Sequence, residues 1–396
     1  MKYRSEFLRS TALTLSALAL ALAVVTGCGG GVEATPTTPP TTPPVTPPTQ
    51  AIATYGNTVL PGRLLVNAPD GTNARLMDLT TGRQQALPGS SDAAEDRWQA
   101  NANGTLLVRW ADRSGASAYP LAVFGATDLA PKVSPASISG VLGAADLRLS
   151  PDGKWLMAQY GDNFQVQRRL TIFDASTLEI QKRGSRLDDA TVIGEPQAWL
   201  PDGRYVYLVA NELWVSSPTS ADSQLLARLP LPENSVFEGG GYVAGHSSLA
   251  VSPDGTRIAF TWELKRKNDF DTHVFVANID GTGLRQLTAV ADADSALRYS
   301  FDSPTWSPDG KWVAFVLYMN GAVVAPVWPD EPFGGARVVG TTGCDANPVY
   351  VLPASASAPT AIAWPSINRD IALKVKASSG DSGQWVSTCS NVRWIP

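Results

Sequence analysis

The strongest candidate for a catalytic nucleophile is Ser382, which lies in the stretch GDSG at residues 380–383. A serine becomes a nucleophile when a histidine takes its proton and a carboxylate orients that histidine. The chain has two histidines, His246 and His273, and neither lies in a context typical of such a base. A polar hairpin turn explains the stretch SSGDSGQ better, and no GxSxG motif occurs. The sequence therefore predicts no catalytic residue.

Acidic side chains that could bind a metal occur in two pairs, Asp269/Asp271 and Asp292/Asp294. Neither pair has the spacing of an EF-hand loop, so solvated loop carboxylates are the better interpretation. Zinc sites draw on cysteine and histidine, and this chain has two histidines and no CxxC motif. We therefore expect no metal and no cofactor.

The start of the chain has the features of an export signal. Lys2, Arg4 and Arg9 precede an apolar run at residues 11–25, and small residues then lead to Cys28. Residues 25–28 (VTGC) resemble the lipobox of bacterial lipoproteins, which implies cleavage before Cys28 and lipidation of its thiol. Gly29 follows, which resembles the pattern of Gram-negative lipoproteins sent to the outer membrane. The alternatives are an ordinary signal peptide or a membrane anchor that contains a cysteine by chance.

The other two cysteines, Cys344 and Cys389, form an even pair in a chain that we expect to be exported. An oxidising compartment favours a disulfide between them, and two separate buried thiols are the alternative.

Residues 35–50 (TPTTPPTTPPVTPPTQ) have almost nothing apolar to bury. Such a segment forms a stiff, extended polyproline spacer, here ~50 Å long at ~3.1 Å per residue. The predicted organisation is therefore a signal peptide at 1–27, a lipidated linker at 28–54 and a folded body at 55–396. Without residues 1–27 the chain has 28 Lys+Arg and 35 Asp+Glu, a charge of −7. That acidic balance argues against nucleic acid as a ligand.

Four nearly superimposable segments follow, and they indicate an internal repeat. They read LSPDGKWLMAQ, WLPDGRYVYLV, VSPDGTRIAFT and WSPDGKWVAFV, and their turn aspartates Asp152, Asp202, Asp254 and Asp309 lie 50, 52 and 55 residues apart. Weaker copies occur at residues 98–110 and 363–375. In each copy proline presets φ, aspartate bonds to nearby backbone and glycine accepts a positive φ, which together make a tight turn between two strands.

One repeat reads as strand, PDG turn, strand, longer loop, strand, Gly-rich turn and strand, which is a four-stranded antiparallel blade. A blade buries its faces only against neighbouring blades, so the pattern predicts an all-β fold, a β-propeller. Units begin near residues 55, 96, 145, 195, 245, 302 and 360, which favours seven blades. Six is the alternative, if the first unit completes the last blade.

These copies resemble the SPDG repeats of TolB-type β-propellers over most of residues 60–375. The resemblance implies the fold, whereas propellers serve many functions. The chain departs from TolB in having a lipobox and a proline spacer where TolB has a small α/β domain. The Pal-binding role of TolB is therefore not transferred to it.

Strand connectivity places the PDG turns on one face of the disc and the long loops on the other. Loops on a rigid scaffold are the usual place for binding, so we expect ligand contacts within residues 160–169, 233–248, 262–273 and 289–304. The alternative is that these aromatic residues pack between blades, as we expect for Trp199 and Trp306. The candidate binding residues are Tyr160, Phe164, Tyr242, His246, Trp262, Arg266, Asp269, Phe270, Asp271, Tyr299 and Phe301.

The sequence thus favours a monomeric, non-catalytic interaction module that is lipid-anchored in the cell envelope, on the periplasmic or surface side of an outer membrane. Its partner would be an envelope protein or a glycan. One alternative is a hydrolase, lyase or cyclotransferase with its site in the central channel. Another is a structural envelope protein.

Overall fold

The computed structural model describes residues 54–55, 58–67, 74–89, 96–111, 118–139, 141–142, 147–161, 169–183, 197–220, 222–235, 248–266, 269–291, 298–320, 347–363, 368, 370–375, 384–388 and 392–396. They belong to one compact unit, Pro48–Pro396. Among them every regular element is a strand, and no helix capable of crossing a membrane occurs. The sites predicted at Cys28, Phe164, Tyr242, His246, Cys344 and Cys389 lie outside these residues, so the lipid and the disulfide stay predictions.

The first half of the body contains a short hairpin and three antiparallel sheets, which we call blades 1, 2 and 3. The hairpin is β1 (Thr54–Tyr55) and β2 (Thr58–Val59). Blade 1 contains β3 (Arg63–Val66), β4 (Arg75–Asp78) and β5 (Gln84–Ala86). Blade 2 contains β6 (Asp96–Ala100), β7 (Leu106–Ala111), β8 (Ala118–Gly125) and β9 (Pro131–Ser139). Blade 3 contains β10 (Val141–Leu142), β11 (Arg148–Leu149), β12 (Trp155–Gly161), β13 (Arg169–Asp174) and β14 (Ile180–Arg183).

The second half forms blades 4, 5 and 6 and a closing strand. Blade 4 contains β15 (Gln197–Trp199), β16 (Tyr205–Val209), β17 (Glu212–Ser216) and β18 (Ser223–Arg228). Blade 5 contains β19 (Leu249–Val251), β20 (Arg257–Arg266), β21 (Asp269–Asn278) and β22 (Arg285–Gln286), followed by β23 (Thr288–Val290). Blade 6 is built on β24 (Arg298–Trp306), β25 (Trp312–Asn320) and β26 (Asn347–Pro353), with β27 (Thr360–Ile362), β28 (Lys374–Val375), β29 (Gln384–Trp385) and β30 (Ser387–Thr388) around it. The closing strand is β31 (Arg393–Ile395).

The closing strand completes the first blade. β31 pairs antiparallel with β3, with Leu64 opposite Trp394, and therefore forms the inner strand of blade 1. The described residues contain six inner strands: β6, β11, β15, β19, the second half of β24, and β31. The fold is thus the β-propeller that the repeat predicts, and the part of the chain that the structure describes forms six blades. The preference for seven was wrong because the unit near residue 55 has no inner strand of its own. The segment near residue 371 lies beside β26 as an outer part of blade 6.

Six hydrophobic clusters fill the spaces between neighbouring blades, one for each interface. Between blades 3 and 4, for example, Met157 and Ile172 pack against Trp199, Tyr205 and Tyr207. The other clusters join blades 1 and 2, 2 and 3, 4 and 5, 5 and 6, and 6 and 1. Since each large apolar side chain stabilises the fold by about 1.5–3 kcal/mol when buried, these interfaces hold the disc together. Trp199 and Trp306 both lie within such clusters, as expected.

The PDG turns join the first and second strands of blades 3 to 6, and those of blades 3, 5 and 6 share one set of contacts. In blade 3 Ser150 Oγ donates to Asp152 Oδ1 at 2.6 Å, Lys154 N donates to the same oxygen at 3.1 Å, and Gly153 has a φ of +75°. Burial alone would raise the pKa of Asp152, but these hydrogen bonds outweigh it and hold the pKa below its ordinary value. Asp254 and Asp309 repeat the two hydrogen bonds. In blade 4 leucine replaces the serine, and Asp202 keeps the backbone hydrogen bond, from Arg204 N at 3.0 Å, while the Arg204 side chain takes the place of the serine hydroxyl.

Candidate functional site

Blade 5 differs from its neighbours in the length of its central hairpin. β20 and β21 pair over ten residues each, from Arg257 opposite Asn278 to Arg266 opposite Asp269. β20 starts just after a PDG turn, so the far end of the hairpin lies at the end of the propeller opposite those turns. We call this the distal end, and the other the turn end. The first part of β24 adds to the hairpin as a parallel neighbour, with Ser300 opposite Thr272.

A buried ion pair lies on one face of this hairpin. Arg266 Nε lies 2.6 Å from Asp271 Oδ2, and the two side chains are 13% and 1% exposed. The other carboxylate oxygen, Oδ1, accepts the backbone N–H of Tyr299 at 2.8 Å. One carboxylate therefore connects both strands of the hairpin to β24, and breaking the pair would leave a buried charge.

A second ion pair lies on the opposite face, because successive residues of a strand point to opposite sides. Arg298 donates to Glu263 Oε1 at 2.8 Å, and its guanidinium lies 3.6 Å from the ring centroid of Phe270. Glu263 is buried, whereas Arg298 and Phe270 are half-buried. The five side chains of Glu263, Arg266, Phe270, Asp271 and Arg298 form what we call the distal cluster. Next to it, the side chain of Lys265 is exposed.

His273 lies beneath the distal cluster and is uncharged at neutral pH. Burial lowers its pKa to about 4, and the positive charge of Arg266 contributes to that shift. Its Nδ1 lies 3.0 Å from the carbonyl oxygen of Thr288, which can only accept, so the ring proton is on Nδ1. The ring also lies against Phe301, with 5.7 Å between the centroids. His273 therefore serves the packing of blades 5 and 6.

The bend in β24 fixes the distal cluster to the rest of the disc. At this bend the register with β25 shifts between Asp302 and Thr305, and Ser303 has a φ of +55°. Ser248, which immediately precedes β19, donates its hydroxyl to Asp302 Oδ1 at 2.5 Å. Beyond the bend, β24 becomes the inner strand of blade 6.

A second feature is a cavity of about 350 Å³ at the turn end of the propeller axis. All six inner strands contribute to its lining, with residues that fall within 99–103, 148–151, 198–201, 250–253, 305–308 and 393–396. Hydrogen bonds join these strands around the axis. Trp199 Nε1 donates to the carbonyl of Arg148 at 2.9 Å, and Trp306 Nε1 donates to that of Ala250 at 3.2 Å. The cavity therefore has rigid walls.

Several candidate binding residues lie in strands rather than in loops. The prediction of a long loop at 262–273 is wrong, since β20 and β21 stay paired up to Arg266 and Asp269. Tyr160 lies in β12, and residues 298–304 belong to β24. Trp262, Tyr299 and Phe301 are 4%, 1% and 0% exposed, so they are core residues rather than binding residues.

The structure pairs Arg266 with Asp271 on one face of the hairpin and places Phe270 on the other, and the sequence had singled out all three. It adds Glu263 and Arg298, which the sequence analysis missed. Alternation in the stretch WELKR could have indicated a strand with Glu263 and Lys265 on one face. Nothing local signals that Arg298, 35 residues away from Glu263, completes the ion pair.

The closed ring of antiparallel blades is a β-propeller, and its SPDG turns are similar to those of TolB-type propellers. Over 77 residues the chain is 39% identical to the Tol-Pal system protein TolB of Syntrophus aciditrophicus (strain SB), a match that spans 19% of this chain and 16% of that protein. No protein-family profile matches.

Two solved structures are similar at low identity. TolB from Acinetobacter baumannii is 12% identical with a TM-score of 0.49, over 85% of this chain and 67% of that one. Oligogalacturonate lyase from Vibrio parahaemolyticus is 16% identical with a TM-score of 0.38, over 65% and 77%.

Proposed function

We propose that the protein is a non-catalytic interaction module, attached to a membrane of the cell envelope through a lipid on Cys28 and held away from it by the proline-rich linker. The observation that carries this proposal is the distal cluster. It presents a cation and an aromatic ring, with the exposed Lys265 beside them, on a hairpin that two ion pairs hold in place.

The envelope assignment rests on the sequence and on the similarity to a Tol-Pal system protein. An export signal, a lipobox and a spacer of ~50 Å would display the disc to partners within reach of the membrane. The order of these segments supports attachment of the lipid at one end and binding at the other.

The distal end suits recognition of a protein partner. Arginine and aromatic side chains provide most of the energy at protein interfaces, and Arg298 stacked on Phe270 offers both in one half-buried patch. Such a patch on paired strands does not lose much conformational entropy on binding, because its side chains are already ordered. An envelope protein is the proposed partner, and a glycan would be the alternative ligand.

The test is affinity capture of the full chain, tagged and produced in its native envelope, from a detergent extract. Lys265→Glu alters the exposed charge beside the distal cluster. Lys311→Glu makes the same change at the turn end, where the Lys311 side chain is 75% exposed. We expect one stoichiometric partner that is lost with Lys265→Glu and kept with Lys311→Glu. Equal recovery with both variants would contradict the site, and no partner in any arm would contradict the interaction role.

A further inference from the structure

We infer that the partner of the distal cluster binds it through an acidic protein segment, whose carboxylates contact Arg298 and Lys265. This inference rests on the proposed function, because it names the chemistry of the partner at the same surface. It adds that the contact depends on negative charge, which the interaction role by itself does not require.

Three side chains form a row across neighbouring strands at the distal end. Lys265 of β20 lies opposite Phe270 of β21 in the antiparallel register. On the other side of β21, Ser300 of β24 lies opposite Thr272 in a parallel register. Two residues earlier in both strands, that register brings Arg298 beside Phe270. Because residues opposite one another in adjacent strands point to the same side of a sheet, the row lies on one face.

Arg298 extends over the aromatic ring and is ordered there. Its guanidinium lies 3.6 Å from the ring centroid of Phe270 and donates from Nη2 to Glu263 Oε1 at 2.8 Å. Among the residues that the structure describes, Glu263 is the only acceptor of this guanidinium, and the side chain is 28% exposed. A planar fork of N–H groups matches the oxygens of a carboxylate, and an ordered fork loses little entropy when it binds one.

Lys265 supplies the charge that makes this face positive. Glu263 balances the charge of Arg298, whereas the Lys265 side chain is exposed and no residue in the described part of the chain pairs with its ammonium group. The body as a whole is acidic, since residues 28–396 contain 28 Lys+Arg and 35 Asp+Glu. An acidic segment is therefore repelled by the overall charge and attracted to this face, which orients the contact.

The ring of Phe270 defines the partner further. It is half-buried and lies in the row between Lys265 and Arg298, so it offers an apolar surface beside the two cations. Aromatic and arginine side chains are typical anchors of protein interfaces. A segment that carries an apolar side chain between its acidic residues fits all three positions of the row.

The test is fluorescence anisotropy with the full chain in detergent and two labelled, capped peptides. The acidic peptide is Gly-Glu-Glu-Phe-Glu-Glu-Gly, and the neutral peptide has glutamine in place of each glutamate. We expect saturable binding of the acidic peptide, weaker at high salt, and none of the neutral one. Lys265→Gln should lower the affinity about two- to fivefold, as for an exposed charge pair. Lys311→Gln, at the turn end, should leave the affinity unchanged.

Arg298 needs two variants, because Arg298→Gln alone would leave Glu263 buried without its partner. The double change Glu263→Gln with Arg298→Gln removes both charges and should lower the affinity for the acidic peptide about tenfold or more, since charge-assisted hydrogen bonds are lost. Arg298→Lys keeps the charge without the planar fork and should cause a smaller loss. Thermal unfolding of each variant, compared with the wild type, shows whether a loss of binding reflects a loss of fold.

Three outcomes would overturn the inference. They are equal binding of the two peptides, no binding of the acidic peptide by the folded wild type, and a clear preference for tri(galacturonic acid), which would assign the face to an acidic glycan. Failure of the proposed function looks different. A partner captured only when Lys265 is intact, without binding of the acidic peptide, would keep the interaction role and remove its acidic chemistry. Binding of the acidic peptide with no captured partner would support that chemistry and contradict the interaction role.

Discussion

The indole N–H of Trp394 donates to the carbonyl oxygen of Pro61 at 2.7 Å and joins residues 333 positions apart in the chain. The same tryptophan lies opposite Leu64 in the pairing of β31 with β3, and it packs into the cluster between blades 6 and 1. The ring of blades thus depends on a strand of three residues, which links the last part of the chain to the first blade.

Replacement of Trp394 by alanine should therefore open this closure. We expect the free energy of unfolding to fall by about 3–5 kcal/mol, because a large buried side chain is removed and its cavity remains. Leu231→Ala is the control, since Leu231 is 49% exposed and its loss should change stability by less than about 0.5 kcal/mol. Urea unfolding followed by tryptophan fluorescence measures both, and similar effects of the two changes would argue against closure by β31.

His273 should make the stability of the body depend on pH. Its pKa is lowered to about 4 in the fold, against about 6.5 in an unfolded chain. The unfolded state binds more protons between these values, so the free energy of unfolding falls as the pH falls from about 6.5 to about 4. The total loss should be about 3 kcal/mol. Above pH 7 the ring of His273 is mostly neutral in both the folded and the unfolded state, so this residue should not make the free energy of unfolding depend on pH there.

The control for this pH dependence is His273→Asn, which keeps a donor for the Thr288 carbonyl and cannot titrate. This variant should lose the pH-dependent step while being less stable at every pH. NMR of the ring in a His246→Gln background should show His273 neutral at pH 5.5. A ring that titrates near pH 6.5 would show that burial does not hold it neutral.

The ion pair of Arg266 and Asp271 leads to a third prediction. Asp271→Asn leaves the Arg266 charge largely buried without its carboxylate, so unfolding should become easier by about 3–5 kcal/mol. The double change Arg266→Met with Asp271→Asn should recover much of that loss, because no buried charge remains and the amide oxygen at position 271 can still accept the Tyr299 N–H. If Asp271→Asn and the double variant were equally unstable, the loss of stability would come from altered side-chain packing rather than from the unpaired charge of Arg266.

The proposed lipidation of Cys28 gives a fourth prediction, at the other end of the chain. In cells fed with radiolabelled palmitate, the wild type should carry the label and sediment with membranes. Cys28→Ala should lose the label and appear in the soluble envelope fraction. Label that persists in Cys28→Ala would place the lipid elsewhere or remove the lipobox interpretation.

The sequence predicts local features of this protein better than its long-range contacts. The PDG turns depend on side chains within five residues of one another, so residues such as Asp152 and Gly153 are enough to predict the turn from the sequence. The blade number depends on whether a strand near residue 394 meets one near residue 64, which no local pattern shows. The ion pair of Arg298 with Glu263 is also a long-range contact. In the sequence each of these residues alone looks like an ordinary surface charge, and nothing local indicates that they pair. Trp262 and Phe301 looked like loop aromatics because the strand pairing of blade 5 extends further than that of its neighbours.

The most direct test of the interaction role is photo-crosslinking in living cells, with a photoreactive amino acid in place of Lys265 or of Lys311. Both side chains are exposed, and they lie at opposite ends of the disc. We expect one discrete crosslinked partner from position 265 and none from position 311. A partner from position 311 alone, or no partner from either position, would contradict the assignment of the distal end as the binding surface.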